Sequence, residues 1–130
     1  MSGDQDPLSA AVRARFRSLR HAGELAASAT DLLVQGEAGR EQRGTRVRFT
    51  LQLQGQRVHQ ARYRAYGCPH TLAACEWVAE RLEQAPVSAL GTPAEWAREL
   101  DIPPAKLGRL LILEDALRAA LASADKTQPK

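Results

Sequence analysis

Cysteine is scarce in this chain: Cys68 and Cys75 are the only two among 130 residues. Two thiols give no disulfide framework. If the segment after Cys68 is helical, Cys75 stands about 10 Å further along the axis, beyond the roughly 7 Å that separates the Cα atoms of a bridge. The pair should neither crosslink nor readily share one metal. Aromatic residues are few as well, at 5%, which leaves little for a surface that stacks nucleobases. Long apolar runs are missing, so no segment matches a membrane span. The opening MSGDQDPLSA lacks the basic-then-apolar order of a secretory leader. These absences point to the cytoplasm, with no membrane partner.

What is present is ordinary for a globular chain, with 44% hydrophobic and 25% charged residues. The length suits a single domain, 1–130, with a flexible N-terminus and C-terminal tail. The net charge is +3, and arginines cluster in VRARFRSLR (12–20) and RVRF (46–49). Phe16 is the only aromatic in the first cluster. A solvated helix face is therefore expected there rather than a nucleic-acid site, with an acidic protein partner as the other option.

Periodicity places the elements. Leu8, Ala11, Val12, Phe16 and Leu19 have helical spacing over 8–20, and HAG (21–23) can end that helix. ELAASATDLLVQ (24–35) is ambiguous, since its small residues favour a helix that Gly36 and Gly39 bound closely. GEAGREQRG (36–44) reads as a polar, mobile connection. Strict alternation of Val47, Phe49, Leu51 and Leu53 with polar residues makes TRVRFTLQL (45–53) a strand with one buried face. QGQ (54–56) turns the chain, and RVHQARYRAY (57–66) returns through Ala61, Tyr63 and Ala65. Val58 is out of phase, which predicts an irregularity near the turn.

A helix is expected from Thr71 to about Gln84, with Leu72, Cys75, Ala79 and Leu82 on one face and Val78 beside it. In GTPAEWAREL (91–100), Thr92 caps a short helix and Pro93 fits its first turn. IPP (102–104) breaks it. The last helix turns Leu107, Leu110, Leu111, Leu117 and Leu121 inward, carries a Glu114–Arg118 pair, and frays at ADKTQPK. The order predicts an α+β fold: a small antiparallel sheet with helices packed on one face.

Gly67 permits a sharp turn between strand and helix, so Cys68 falls at the helix N-terminus. Unpaired N–H groups and the helix dipole favour a thiolate there. Pro69 suits the first turn, and His70 can add charge or a hydrogen bond. Such a thiol is a nucleophile or a metal ligand. Cys75, on the inward face, reads as core, and His21 and His59 as solvated or structural.

ARYRAYGCPHTLAACEWVAERL, followed at its spacing by DIPPAKLGRLLILEDALRAAL, resembles the IscU/NifU N-terminal type of iron–sulfur cluster assembly scaffold. Tyr66-Gly67-Cys68 matches that family's YGC motif. Ile102-Pro103-Pro104-Ala105-Lys106 matches its LPPVK-like segment, and Glu114-Asp115-Ala116 its EDA signature. FRSLRHAG (16–23) faintly echoes the family's YENPRNVG. The resemblance implies a scaffold or sulfur acceptor rather than a turnover enzyme. It also implies a 2Fe-2S cluster or iron as cofactor, a cysteine desulfurase as partner, an Hsp70-type chaperone reading IPPAK, and a homodimer as one assembly.

The family's ligand set is incomplete here. Arg43 falls where the family has its first cysteine, Thr45 near its aspartate, and Gly108 and Arg109 where it carries histidine and cysteine. Cys68 is the cysteine that remains, with His70 as the one neighbouring metal-ligand candidate. One thiolate does not complete an iron–sulfur or zinc site. Three functions follow. Cys68 takes up sulfur as a persulfide, with Arg43 and Arg109 holding the anion. Or a conventional scaffold borrows ligands from a second subunit, glutathione or a partner. Or the chain is a non-catalytic interaction module of the assembly machinery.

Overall fold

Alternating side chains make the centre of the sheet. The computed structural model describes residues 8–25 and 32–127, with side chains through residue 124. The N-terminal seven residues, the middle of the ambiguous 24–35 stretch and the last three residues of the tail lie outside the described residues. Strand β2 (Thr45–Gln54) turns Val47, Phe49, Leu51 and Leu53 into the core, none of them more than 3% exposed. Burying each such side chain stabilises the fold by about 1.5–3 kcal/mol, an upper estimate because denatured chains already bury some surface. β2 pairs antiparallel with β3 (Arg57–Tyr66). The expected irregularity is there: Gln52 faces Gln60 but Leu53 faces Val58, so His59 is the extra residue of a bulge. The bulge returns Val58 to the core side.

On the other side of β2 lies a strand, β1 (Leu32–Arg40), which takes up the end of the ambiguous 24–35 stretch and the start of the connection expected to be mobile over 36–44. Its glycines mislead because one of them serves packing. Gly36 is buried where the last helix crosses the sheet, and a Cβ there would stand 2.2 Å from both the Ala116 carbonyl oxygen and the Ala120 amide nitrogen. Only the end of the stretch is a turn, a 3-10 segment over Glu41–Arg43. A two-residue strand β4 (Ala85–Pro86) pairs with the start of β3, giving the sheet order β1-β2-β3-β4.

All the helices lie on one face. α1 (Ala10–Arg17) is capped by Ser9 and packs on α2 (Pro69–Leu82). α2 covers β3. α3 (Pro93–Leu100) carries the Thr92–Glu95 capping box and packs on α4 (Leu107–Thr127), which lies across β1 and β2. The α+β architecture is as expected, with three side-chain corrections. Leu72 is only half-buried and stands outside the core that Ala73, Ala74 and Cys75 join. Leu111 is 47% exposed, and Leu113 joins Leu110 and Leu117 in the core instead. At 3.6 residues per turn, Leu111 projects about 100° or more away from each of those three. Phe16 is also exposed, because Ser18 ends α1 early and the core takes only Val12 from it. The expected frayed tail is helical through Thr127, and Ala124 is buried. None of the described helices is long and apolar enough to cross a membrane.

Candidate functional site

Cys68 is the N-cap of α2, with extended backbone (φ −80°, ψ 171°), and Pro69 opens the helix. The glycine before it is required by contact rather than by backbone angle. A Cβ on Gly67 would meet the Cβ and hydroxyl of Thr71 at 2.9 Å, so the chain can fold tightly over the first helical turn only without a side chain. This leaves the Cys68 sulfur 3.7 Å from Thr71 Oγ1 and 3.9 Å from His70 Nδ1. Cys68 is partly exposed, while Thr71 and His70 are buried.

Opposing effects set the acidity of this thiol. Partial burial pushes it up. The Thr71 N–H, the Thr71 hydroxyl, the His70 N–H and the charge of Arg109 outweigh that, and the net shift is below the ordinary cysteine range. Arg109 stands in the first turns of α4, and its Nε is buried with no hydrogen-bond partner among the described residues. Arg43 is different. It is exposed in the 3-10 turn after β1 and is not among the groups that set the Cys68 acidity. The structure thus joins Cys68 and His70, adds Thr71, which sequence reasoning missed, and leaves Arg109 to act on the thiol through its charge. Thr71 was visible only as the residue three after the cap, the place where a hydroxyl meets an N-cap side chain.

The sulfur at Cys75 is inert by comparison. It is fully buried on α2, and burial reinforced by the Glu76 charge pushes its thiol far up. Ile102 is buried, Pro103 and Lys106 half-buried, and Pro104 and Ala105 exposed, so the IPPAK segment offers solvent its middle rather than its whole length. Among the described residues, no group of three or more His, Cys, Asp and Glu side chains could hold a metal ion. The donor set around Cys68 is one thiol, one imidazole, one hydroxyl and a guanidinium. These residues do not fit a cluster held by a single chain.

A second polar cluster lies inside the fold. Glu76 is fully buried and accepts from the His21 backbone N–H at 2.9 Å and the Tyr63 hydroxyl at 3.0 Å, with His21 Nδ1 also against its other oxygen. His21 Nε2 lies 3.0 Å from Glu83 Oε1, and Glu83 Oε2 accepts from the Ala61 N–H and from Arg62. Burial, with the Glu76 charge beside it, pushes the Tyr63 phenol up, so it stays a donor. Burial also pushes the Glu83 carboxyl up, but the Ala61 amide, Arg62 and His21 overcome it and hold Glu83 below the usual carboxylate range. The cluster ties the segment after α1 to β3, where residues 21–23 run beside Tyr63. His21 therefore has the structural role.

Comparison with known proteins bears on the family and the fold. The model of the NifU-like N-terminal domain family matches residues 9–129. Iron sulfur cluster assembly protein 1 from Trachipleistophora hominis is 26% identical over 113 residues, covering 85% of this chain and 81% of that protein. A SUF-system scaffold protein for iron–sulfur cluster assembly, from Fervidobacterium islandicum AW-1, superposes with a TM-score of 0.69 at 14% identity, over 87% of this chain and 95% of that one. The N-terminal part of a nitrogen-fixing NifU-like protein from Brucella abortus gives 0.67 at 11% identity, over 92% and 95%. At such identities the two structures speak for the fold alone. With the family match spanning nearly the whole chain, this protein belongs to the NifU-like N-terminal domain family of iron–sulfur cluster assembly scaffolds.

Proposed function

We propose that the chain serves iron–sulfur cluster assembly as a sulfur acceptor, carrying sulfur as a persulfide on Cys68, and is not itself a turnover enzyme. The observation that carries this is one partly exposed, acid-shifted thiol in contact with Thr71 and His70 and under the charge of Arg109, whose buried Nε has no partner among the described residues. Such a site suits a sulfur anion better than a metal. The donor is a cysteine desulfurase holding a persulfide. The Cys68 thiolate attacks its outer sulfur, the donor's S–S bond breaks, and the donor cysteine leaves as a thiolate. Cys68 then carries a persulfide whose terminal sulfur sits near Arg109. A reducing compartment, the cytoplasm, keeps the acceptor thiol free.

Incubation with a desulfurase and cysteine, read by intact mass, tests the proposal. A gain of one sulfur per chain, lost in Cys68→Ser, is expected. No adduct, or an adduct indifferent to that substitution, overturns it.

The exposure of Pro104 and Ala105 favours a second role for another surface. An Hsp70-type chaperone would grip this part of the IPPAK segment, making the chain an interaction module as well. Substituting Pro104 and Ala105 with aspartate should abolish chaperone binding and leave sulfur uptake intact.

A further inference from the structure

Sulfur taken up at Cys68 must also leave it, and the chain holds no second thiol in reach. Cys68 and Cys75 are its only cysteines. Both stand on one helix, Cys68 as the N-cap of α2 and Cys75 about 10 Å further along the axis. A disulfide needs Cα atoms within roughly 7 Å. Cys75 is also fully buried, and that burial, with the Glu76 charge, pushes its thiol far up. It therefore presents no thiolate at neutral pH. A persulfide on Cys68 has no route to an internal disulfide, the reaction by which a neighbouring cysteine expels the outer sulfur as sulfide.

An external thiolate meets the persulfide at one of two sulfurs, and the products differ. Attack on the inner sulfur, Cys68 Sγ, breaks the S–S bond and expels hydrosulfide. The attacker is left joined to Cys68 in a mixed disulfide, which a second thiol must reduce. Attack on the outer sulfur breaks the same bond, makes the acceptor a persulfide and returns Cys68 as a thiolate. The surroundings of Cys68 favour the second course. Its Sγ is 3.7 Å from Thr71 Oγ1 and 3.9 Å from His70 Nδ1, and both of these residues are buried. An outer sulfur added from the solvent side leaves the opposite, in-line approach to Sγ facing the protein. Despite partial burial, the Thr71 and His70 donors and the Arg109 charge hold the Cys68 thiol below the ordinary cysteine range, and a more acidic thiol leaves faster. We propose that the persulfide is discharged by passing its outer sulfur to the thiolate of a separate molecule. The reaction that consumes this product is then a thiol-to-thiol sulfur transfer, not a reduction to sulfide at Cys68. The exchange balances without an outside reductant: acceptor thiolate and Cys68 persulfide give acceptor persulfide and Cys68 thiolate. It rests on Cys68 being the sulfur acceptor.

The test begins with the full chain loaded chemically, by inorganic polysulfide without oxygen, and checked by intact mass for one added sulfur on Cys68. No desulfurase is needed, so a desulfurase that fails to load the chain counts against the uptake proposal alone. Glutathione is then added as the acceptor, and the mixture is quenched with an alkylating agent after a short interval. Alkylated glutathione persulfide, matched by Cys68 returned to the free thiol and exceeding mixed disulfide by about tenfold or more, supports the proposal. Free sulfide accompanied by a Cys68–glutathione mixed disulfide overturns it. So does free sulfide with an internal Cys68–Cys75 disulfide, seen as the loss of the added sulfur and of the thiol hydrogens. Sulfur that stays on Cys68 throughout overturns it as well. A chain that polysulfide cannot load at Cys68 overturns both this discharge and the uptake before it.

Discussion

Glu76 and His21 meet twice in the interior, through the histidine's backbone N–H and through its ring. Fifty-five positions separate them in the chain, so this contact is what pins the segment after α1 onto α2 and β3. A fully buried carboxylate is tolerable only with its partners in place. His21→Ala leaves Glu76 without its ring contact and should cost about 3–5 kcal/mol of stability. Denaturant unfolding measures this. A change below about 1 kcal/mol would mean that the cluster is incidental to the fold.

Glu83 gives the same cluster a pH signature. Its carboxyl is held below the ordinary range in the folded protein, so the unfolded chain binds its proton first as pH falls. The associated stability is fully present above the unfolded value of about 4.3 and is lost as pH falls through the folded value. Glu83→Gln should therefore destabilise the protein at pH 7, with a difference from the parent that shrinks on acidification below about pH 4. Thermal unfolding from pH 7 to pH 3 checks it; a pH-independent difference would remove the carboxylate from the explanation.

Gly36 is a contact point between sheet and helix. The groups that a Cβ would strike belong to the backbone of α4, which cannot swing aside as a side chain would. Gly36→Ala should destabilise by about 3 kcal/mol through overpacking, read as a lower denaturant midpoint. A neutral effect would show that α4 can lift off β1 freely.

Thr71 should act through Cys68. Thr71→Val removes the hydroxyl that faces the sulfur but keeps the shape. It should raise the Cys68 pKa and slow its alkylation at pH 7, while the rate at high pH, where the thiolate is fully formed, stays the same. Thr71→Ser should restore the parent profile. Equal slowing by valine at every pH would indicate altered access instead.

Much of this was legible in the sequence. The strand at β2, the phase slip at Val58 and the Thr92 cap are local signals and appear as expected, although Thr50 and Gln52 on the polar face of β2 are buried as well. So is Cys68 at the start of α2. The illegible parts depend on what packs against them. Glycine marks a break unless a helix must approach the backbone there, as α4 does at Gly36. Leu111 belongs to a leucine-rich run in which only angular position separates core from surface. The His21–Glu76–Glu83 cluster joins distant segments, and no spacing announces it. Arg43 was linked to Cys68 by family position, but the fold leaves it in an exposed turn, whereas Arg109 does act on the thiol.

Peptide N–H groups, a hydroxyl and the Arg109 charge together hold the Cys68 thiol below the ordinary cysteine range. The pH dependence of Cys68 alkylation, followed by peptide mass, tests it most directly. A midpoint clearly below the roughly 8.5 of free cysteine, moving upward in Arg109→Gln, is the predicted result. A midpoint at or above the free value, unmoved by that substitution, would contradict it.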